Sequence, residues 1–97
     1  MILLTVRYRV KPGTRAMVIA LAKDMQAYSR GEEGNIEYSQ LPAIDDENEM
    51  VVIEKWASAD AVKAHQSSEM YQRFSEARRE YLVQGSMVIQ SYDAKEI

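Results

Sequence analysis

Met50-Val51-Val52-Ile53-Glu54-Lys55-Trp56-Ala57-Ser58-Ala59-Asp60-Ala61-Val62-Lys63-Ala64-His65-Gln66-Ser67-Ser68 changes period midway, and that change decides the fold. From Met50 to Trp56 the apolar residues occupy both parities, Met50 and Val52 against Val51 and Ile53, which describes a strand with neither face left to water. Ser58 then offers an N-cap oxygen, and Ala61, Val62 and His65 fall at three- and four-residue spacing, so a short helix is predicted through about Gln66. Ser67 or Ser68 can cap a further helix with Met70, Phe74, Ala77 and Tyr81 on one face. The second helical region is therefore predicted to be broken in two.

The remaining elements follow on either side. Ile2 to Val10 reads as a strand, with Leu4, Val6, Tyr8 and Val10 alternating against Thr5, Arg7 and Arg9, and Lys11-Pro12-Gly13 stops it. Thr14 is the expected N-cap of a helix whose inward stripe is Val18, Leu21, Ala22, Met25 and Tyr28, ending at Gly31. Asn35 to Leu41 alternates again, with Ile36, Tyr38 and Gln40 on one face and Glu37 and Ser39 on the other. The acidic stretch Pro42 to Glu49 has the length of a hairpin connection. After Gly85, Ser86 to Tyr92 is the last predicted strand, carrying Met87, Val88 and Ile89.

The order strand, helix, strand, strand, helix, strand is the ferredoxin-like doublet, an α+β fold (βαββαβ) with a four-stranded antiparallel sheet and its helices on one face. Strands three and four are apolar on both sides, so the face without helices is expected to be buried against a second copy, giving a homodimer through the sheet face. The 97 residues leave room for one domain, expected to span 1–97.

Composition excludes several functions. A net charge of -3, with 12 Lys and Arg against 15 Asp and Glu, argues against nucleic acid, which demands a basic face. There is no cysteine, so disulfides, iron–sulfur clusters and a thiolate nucleophile are ruled out. A single His supports no metal cluster, and the Asp45-Asp46-Glu47 run in a connection, like Glu37, reads as solvated surface. Gly31-Glu32-Glu33-Gly34 lacks the spacing and the strand-to-helix setting of a phosphate loop. The apolar start Met1 to Val6 has no basic flank and is cut short by Arg7, so neither a signal peptide nor a membrane span is expected and the chain is read as cytoplasmic.

The chemistry concentrates on the one Trp and the one His. Glu54 and Trp56 share a strand face, and His65 borders the inward stripe of the following helix, so the two rings are expected to look into one cavity between sheet and helix. His65 reads either as a base, since imidazole titrates near neutral pH, or as a helix-end residue satisfied by a carbonyl. Trp56 reads as a pocket wall or as core.

Ile53-Glu54-Lys55-Trp56 with Ser58, Ala61, Ala64-His65 and Ser68, together with Pro12-Gly13 and Glu33-Gly34-Asn35-Ile36-Glu37-Tyr38 upstream, resembles the antibiotic biosynthesis monooxygenase domain family of dimeric α+β-barrel proteins, which includes quinol monooxygenases. The resemblance implies oxidation of a small quinol or other polyphenolic aromatic by molecular oxygen, with no cofactor, because the substrate supplies its own electrons. It implies His65 as base or proton shuttle and Trp56 beside it in the catalytic pair. Asn35 and Tyr38 are expected as polar contacts, which strand parity puts on opposite faces, with Glu54 and Val52 also against substrate. Some aromatic-oxidising relatives carry Asn four residues before the Trp, where this chain has Val52, and haem-degrading relatives use a His where this chain reads Phe74-Ser75-Glu76-Ala77-Arg78. Haem cleavage is therefore not expected. A non-oxidative isomerase of a small metabolite and a stress-response binding module without turnover remain the alternatives on this scaffold.

Overall fold

A computed structural model describes residues 1–97. β1 (Ile2–Arg9), α1 (Arg15–Arg30), β2 (Asn35–Pro42), β3 (Glu49–Trp56), α2 (Ala59–Ser67), α3 (Glu69–Arg78) and β4 (Val88–Asp93) follow one another along the chain. The strands form a four-stranded sheet in the order β2-β3-β1-β4, and every neighbouring pair is antiparallel. This is the ferredoxin-like α+β architecture that the order of elements predicts. β2 and β3 are a hairpin, whereas β1 reaches its place between β3 and β4 only because the helices cross over the sheet.

One face of the sheet and the helices share a cluster of 12 buried apolar residues. Leu4, Val6 and Tyr8 of β1 lie opposite Glu54, Val52 and Met50 of β3, and Val18, Ala22, Met25 and Phe74 come down on them from α1 and α3. Ser58 and Ser68 accept hydrogen bonds from the backbone N–H groups of Ala61 and Tyr71, which caps α2 and α3 and breaks the second helical region as predicted.

Several boundaries and faces differ from expectation. β1 stops at Arg9, and Val10 instead forms an isolated bridge to Leu82. β4 begins at Val88, because the Ser86 hydroxyl donates to Val83 O in a turn and accepts from Arg9 N, fastening that turn to the end of β1. Thr14 precedes α1 but does not cap it with its side chain, which donates to Lys11 O at 2.6 Å. The buried stripe of α1 is Val18, Ala22, Met25 and Ser29, so Tyr28 turns outward. In α3, Arg78 takes the inward position expected of Ala77, because it stands one turn beyond the buried Phe74.

The uncovered face is mixed rather than uniformly apolar. Its rows run Leu41–Val51–Arg7–Val88, Ser39–Ile53–Thr5–Gln90 and Glu37–Lys55–Leu3–Tyr92. Arg7 pairs with Glu49 and Lys55 with Glu37 and Glu96, so charged groups flank a stripe containing Leu3, Val51 and Ile53. In the acidic connection, Asp46 pairs with Arg9, which holds the Asp46 carboxyl below the usual carboxylate range. No helix is long and apolar enough to cross a membrane.

Candidate active site

Alternation along β3 buries Met50, Val52, Glu54 and Trp56 under the helices, so a carboxylate sits in what is otherwise an apolar row. The Trp56 indole N–H donates to Glu54 Oε1 at 3.0 Å, a same-face contact between residues two apart. α2 leaves the end of β3 through Ala57 and Ser58 and returns over the sheet, which carries His65 onto this pair. The imidazole is 1% exposed. Its ring lies 4.7 Å from Trp56, 5.2 Å from Tyr71 and 5.7 Å from Tyr38, centroid to centroid.

Two carboxylates flank that ring. His65 Nδ1 lies 2.6 Å from Glu32 Oε1, and Nε2 lies 3.7 Å from Glu54 Oε1. A carboxylate can only accept, so contact with Glu32 places the hydrogen on Nδ1 and turns Nε2 toward Glu54. Glu32 comes from the loop after α1, and Gly34 seats that loop. Gly34 has φ +83, and a Cβ there would stand 2.6 Å from Ala61 Cβ of α2. Gly34 O also accepts from Ala57 N at 2.8 Å, fixing the loop to the start of α2.

Burial pushes the Glu54 carboxyl above its ordinary value, and the indole N–H and the neighbouring imidazole oppose that rise. Burial and then the Glu54 charge push the Tyr38 phenol well above its usual range. Tyr8 is raised by burial as well, against the opposing charge of Arg78. The Tyr8 hydroxyl donates to Gln40 Oε1 and Gln40 Nε2 donates to the Tyr38 hydroxyl, each at 3.0 Å, so the two phenols are joined through one amide.

Between these groups and α3 lies a narrow cleft of about 20 Å³ with walls that include Leu4, Val6, Val52, Phe74, Met87 and Ile89. His65, Glu54, Tyr38 and Gln40 line it on the polar side, with Arg78 at the α3 wall. Such a volume holds about one water molecule, whereas sites for drug-sized ligands run to ~300 Å³ or more.

His65, Glu54, Tyr38 and Val52 therefore gather at one cleft. Trp56 stands behind it, fully buried against His65 and Glu54, so of its two readings, pocket wall or core, the structure fits core. Asn35 and Tyr38 share a face, contrary to the parity count. A bulge between Asn35 and Glu37 sets Asn35 opposite Trp56 and Tyr38 opposite Glu54, with Ile36 as the extra residue. Asn35 nevertheless stays out of the cleft, and its amide donates to Glu37 O at 3.1 Å across the bulge. Glu32, Gln40, Tyr71 and Arg78 are site residues that the sequence pattern does not single out. Arg78 carried a signal, the i+4 spacing from Phe74, whereas Glu32 showed only as one of two acids after a helix end.

The antibiotic biosynthesis monooxygenase family profile matches residues 1–77. A protein of Bacillus subtilis (strain 168) named "Putative monooxygenase YcnE" is 34% identical over 82 residues, covering 84% of this chain and 86% of that protein. The chain belongs to the antibiotic biosynthesis monooxygenase family. Among solved structures, a protein from Caulobacter crescentus CB15 described as a putative antibiotic biosynthesis monooxygenase superposes with a TM-score of 0.91 at 26% identity, covering 98% of this chain and 90% of that one. One from Nitrosomonas europaea, described in the same words, matches in fold with a TM-score of 0.91 at 18% identity over 97% of this chain and 98% of its own. The resemblance read from Glu54, Trp56 and His65 thus identifies the family, and the family fold agrees with the observed sheet.

Proposed function

We propose that this chain is a monooxygenase that needs no cofactor and oxidises a small quinol or related polyphenol with molecular oxygen. The observation that carries the reading is the Glu32–His65–Glu54 array, with His65 and Glu54 buried and Glu32 half-buried, beside a largely apolar cleft in a member of a monooxygenase family. His65 acts as the base. With Glu32 holding the hydrogen on Nδ1, Nε2 is the nitrogen able to take a phenolic proton, and Glu32 stabilises the imidazolium that forms. Trp56 supports the ring from behind and keeps Glu54 hydrogen-bonded, while Glu54, Tyr38 and Val52 meet the substrate.

The reaction balances without an external reductant. The phenolate passes one electron to oxygen, the radical pair recombines at a ring carbon bearing hydrogen, and the peroxide loses water to leave a carbonyl. One oxygen atom stays in the hydroxyquinone and the other leaves as water, so a hydroquinone supplies all four electrons. An apolar cleft suits this sequence by excluding water from the anion and the peroxide. Entry of an aromatic ring into so narrow a cleft requires its walls, among them the half-buried Tyr71 and Met87, to give way.

The chain acts as a cytoplasmic homodimer joined through the uncovered sheet face. The half-buried Leu3, Val51 and Ile53 and the exposed Leu41, Val88 and Tyr92 on that face support the dimer, because a second copy would take this apolar stripe out of water.

Oxygen uptake with a panel of naphthohydroquinones tests the activity. The wild-type rate is expected to exceed autoxidation, and His65→Ala is expected to return it to the autoxidation level. No enzyme-dependent uptake with any of them would refute the assignment for that substrate class. A second reading, proton transfer in a non-oxidative isomerisation, draws on Glu54 Oε1 at 3.7 Å from His65 Nε2, since an acid and a base on one cleft can move a proton without oxygen. Turnover under strict anaerobiosis would mark that reaction.

A further inference from the structure

Arg78 presents a charge that its surroundings do not balance. It is 5% exposed, it forms no ion pair, and its Nε has no hydrogen-bond partner although it is buried at the cleft. Its guanidinium lies 4.6 Å from the Tyr8 ring centroid and 4.7 Å from that of Phe74. Cation–π contacts recover only a small part of what withdrawing an ion from water costs, so the two rings do not account for a buried, partly unsatisfied guanidinium. A second donor lies on the same cleft. The Tyr38 hydroxyl accepts from Gln40 Nε2 and donates to no protein group. The wall between them is apolar, formed by Val6, Val52, Phe74 and Ile89.

We infer that the cleft selects aromatic carboxylates, with the ring between the apolar walls and the carboxylate on the Arg78 guanidinium. A guanidinium fork matches a carboxylate in shape and charge, and the anion supplies the acceptor that Nε lacks. The opposite polarity at Glu54 and His65 fixes the other end of the molecule, because a ring hydroxyl has a proton to give there and a carboxylate does not. The substrate class is therefore a hydroxylated aromatic acid, oriented with its acid at α3 and its hydroxyl at α2. This rests on the cleft being the substrate site, as in the proposed activity, but not on oxygen chemistry.

Calorimetric titration of 2-naphthoate and of 2-naphthamide tests it, since the two share size and ring and differ in charge. The acid is expected to bind the wild-type protein about tenfold or more tightly than the amide. Arg78→Met is expected to abolish that preference, and Arg78→Lys, which keeps the charge without the fork, to reduce it. Should Arg78→Met fail to fold by circular dichroism, the lysine variant alone decides. Equal binding of acid and amide, no binding of either, or an unchanged preference in a folded Arg78 variant would overturn the inference. Neither probe is a quinol, so a failure of quinol oxidation leaves this result standing. Quinol oxidation combined with charge-blind binding would sink the carboxylate inference alone.

Discussion

His65 and Glu32, 33 residues apart in the chain, meet at 2.6 Å between Nδ1 and Oε1, with the Trp56 ring 4.7 Å from the imidazole, centroid to centroid. The loop after α1 therefore determines which nitrogen of His65 faces the cleft. Glu32→Gln offers a neutral amide that no longer stabilises an imidazolium. Its kcat for quinol oxidation is expected to fall about 100-fold, the lower end of what a positioned base contributes, with KM little changed. Steady-state oxygen uptake across a pH series checks this; a fall in Tm with kcat and pH profile unchanged would make Glu32 purely structural.

Glu54 links the site to stability. Its folded pKa is raised, so the folded chain retains a proton that the unfolded chain releases near the ordinary carboxylate value. The associated stability is present below that ordinary value and is lost as pH rises through the raised one. Glu54→Gln removes this loss while keeping an oxygen for the Trp56 N–H. The Tm of the variant relative to wild type is expected to climb between about pH 4, where an unperturbed carboxylate titrates, and neutrality. Calorimetric scans at several pH values test it, and parallel curves for the two proteins would contradict it.

Gly34 is where the two halves of the site touch. Alanine there meets both a positive φ of +83 and an Ala61 Cβ at 2.6 Å, so Gly34→Ala is expected to destabilise by about 2 kcal/mol, or about 10 °C in Tm for a chain of this size. It should also shift Glu32 and lower turnover. Gly31→Ala is the control, because a Cβ there finds only Tyr28 O at 3.5 Å and the φ of -93 is ordinary. Thermal unfolding of both variants suffices, and equal losses would show that the close approach to α2 is unimportant.

Ile53 occupies the middle row of the uncovered sheet face, opposite Thr5 on β1 and Ser39 on β2. Light scattering at micromolar concentration is expected to give the mass of two chains for the wild type and of one for Ile53→Asp. The Tm of the wild type should also rise with protein concentration, as linkage to association requires. A monomeric wild type would overturn the sheet-face dimer.

Local pattern is enough to specify the order of elements and the family resemblance. Alternation along Leu4, Val6 and Tyr8, double-sided apolarity in Met50 to Ile53, and the serines before α2 and α3 are local signals, because strand and helix periods are set by backbone geometry over a few residues. Trp56 and His65 were legible as a pair for the same reason, since one strand end and one short helix fix their relation. What those residues meet depends on how distant segments pack. Glu32 reaches His65 only when the Gly34 loop packs on Ala61, a contact that no periodicity encodes. The bulge at Ile36 turns Asn35 and Tyr38 to one face, which a parity count cannot anticipate, because one unpaired residue inverts the alternation beyond it. Arg78 reads as surface by residue type, yet helix geometry carries it inward beside Phe74. Charge alone could not have told that, because burial belongs to the packed molecule and not to the residue.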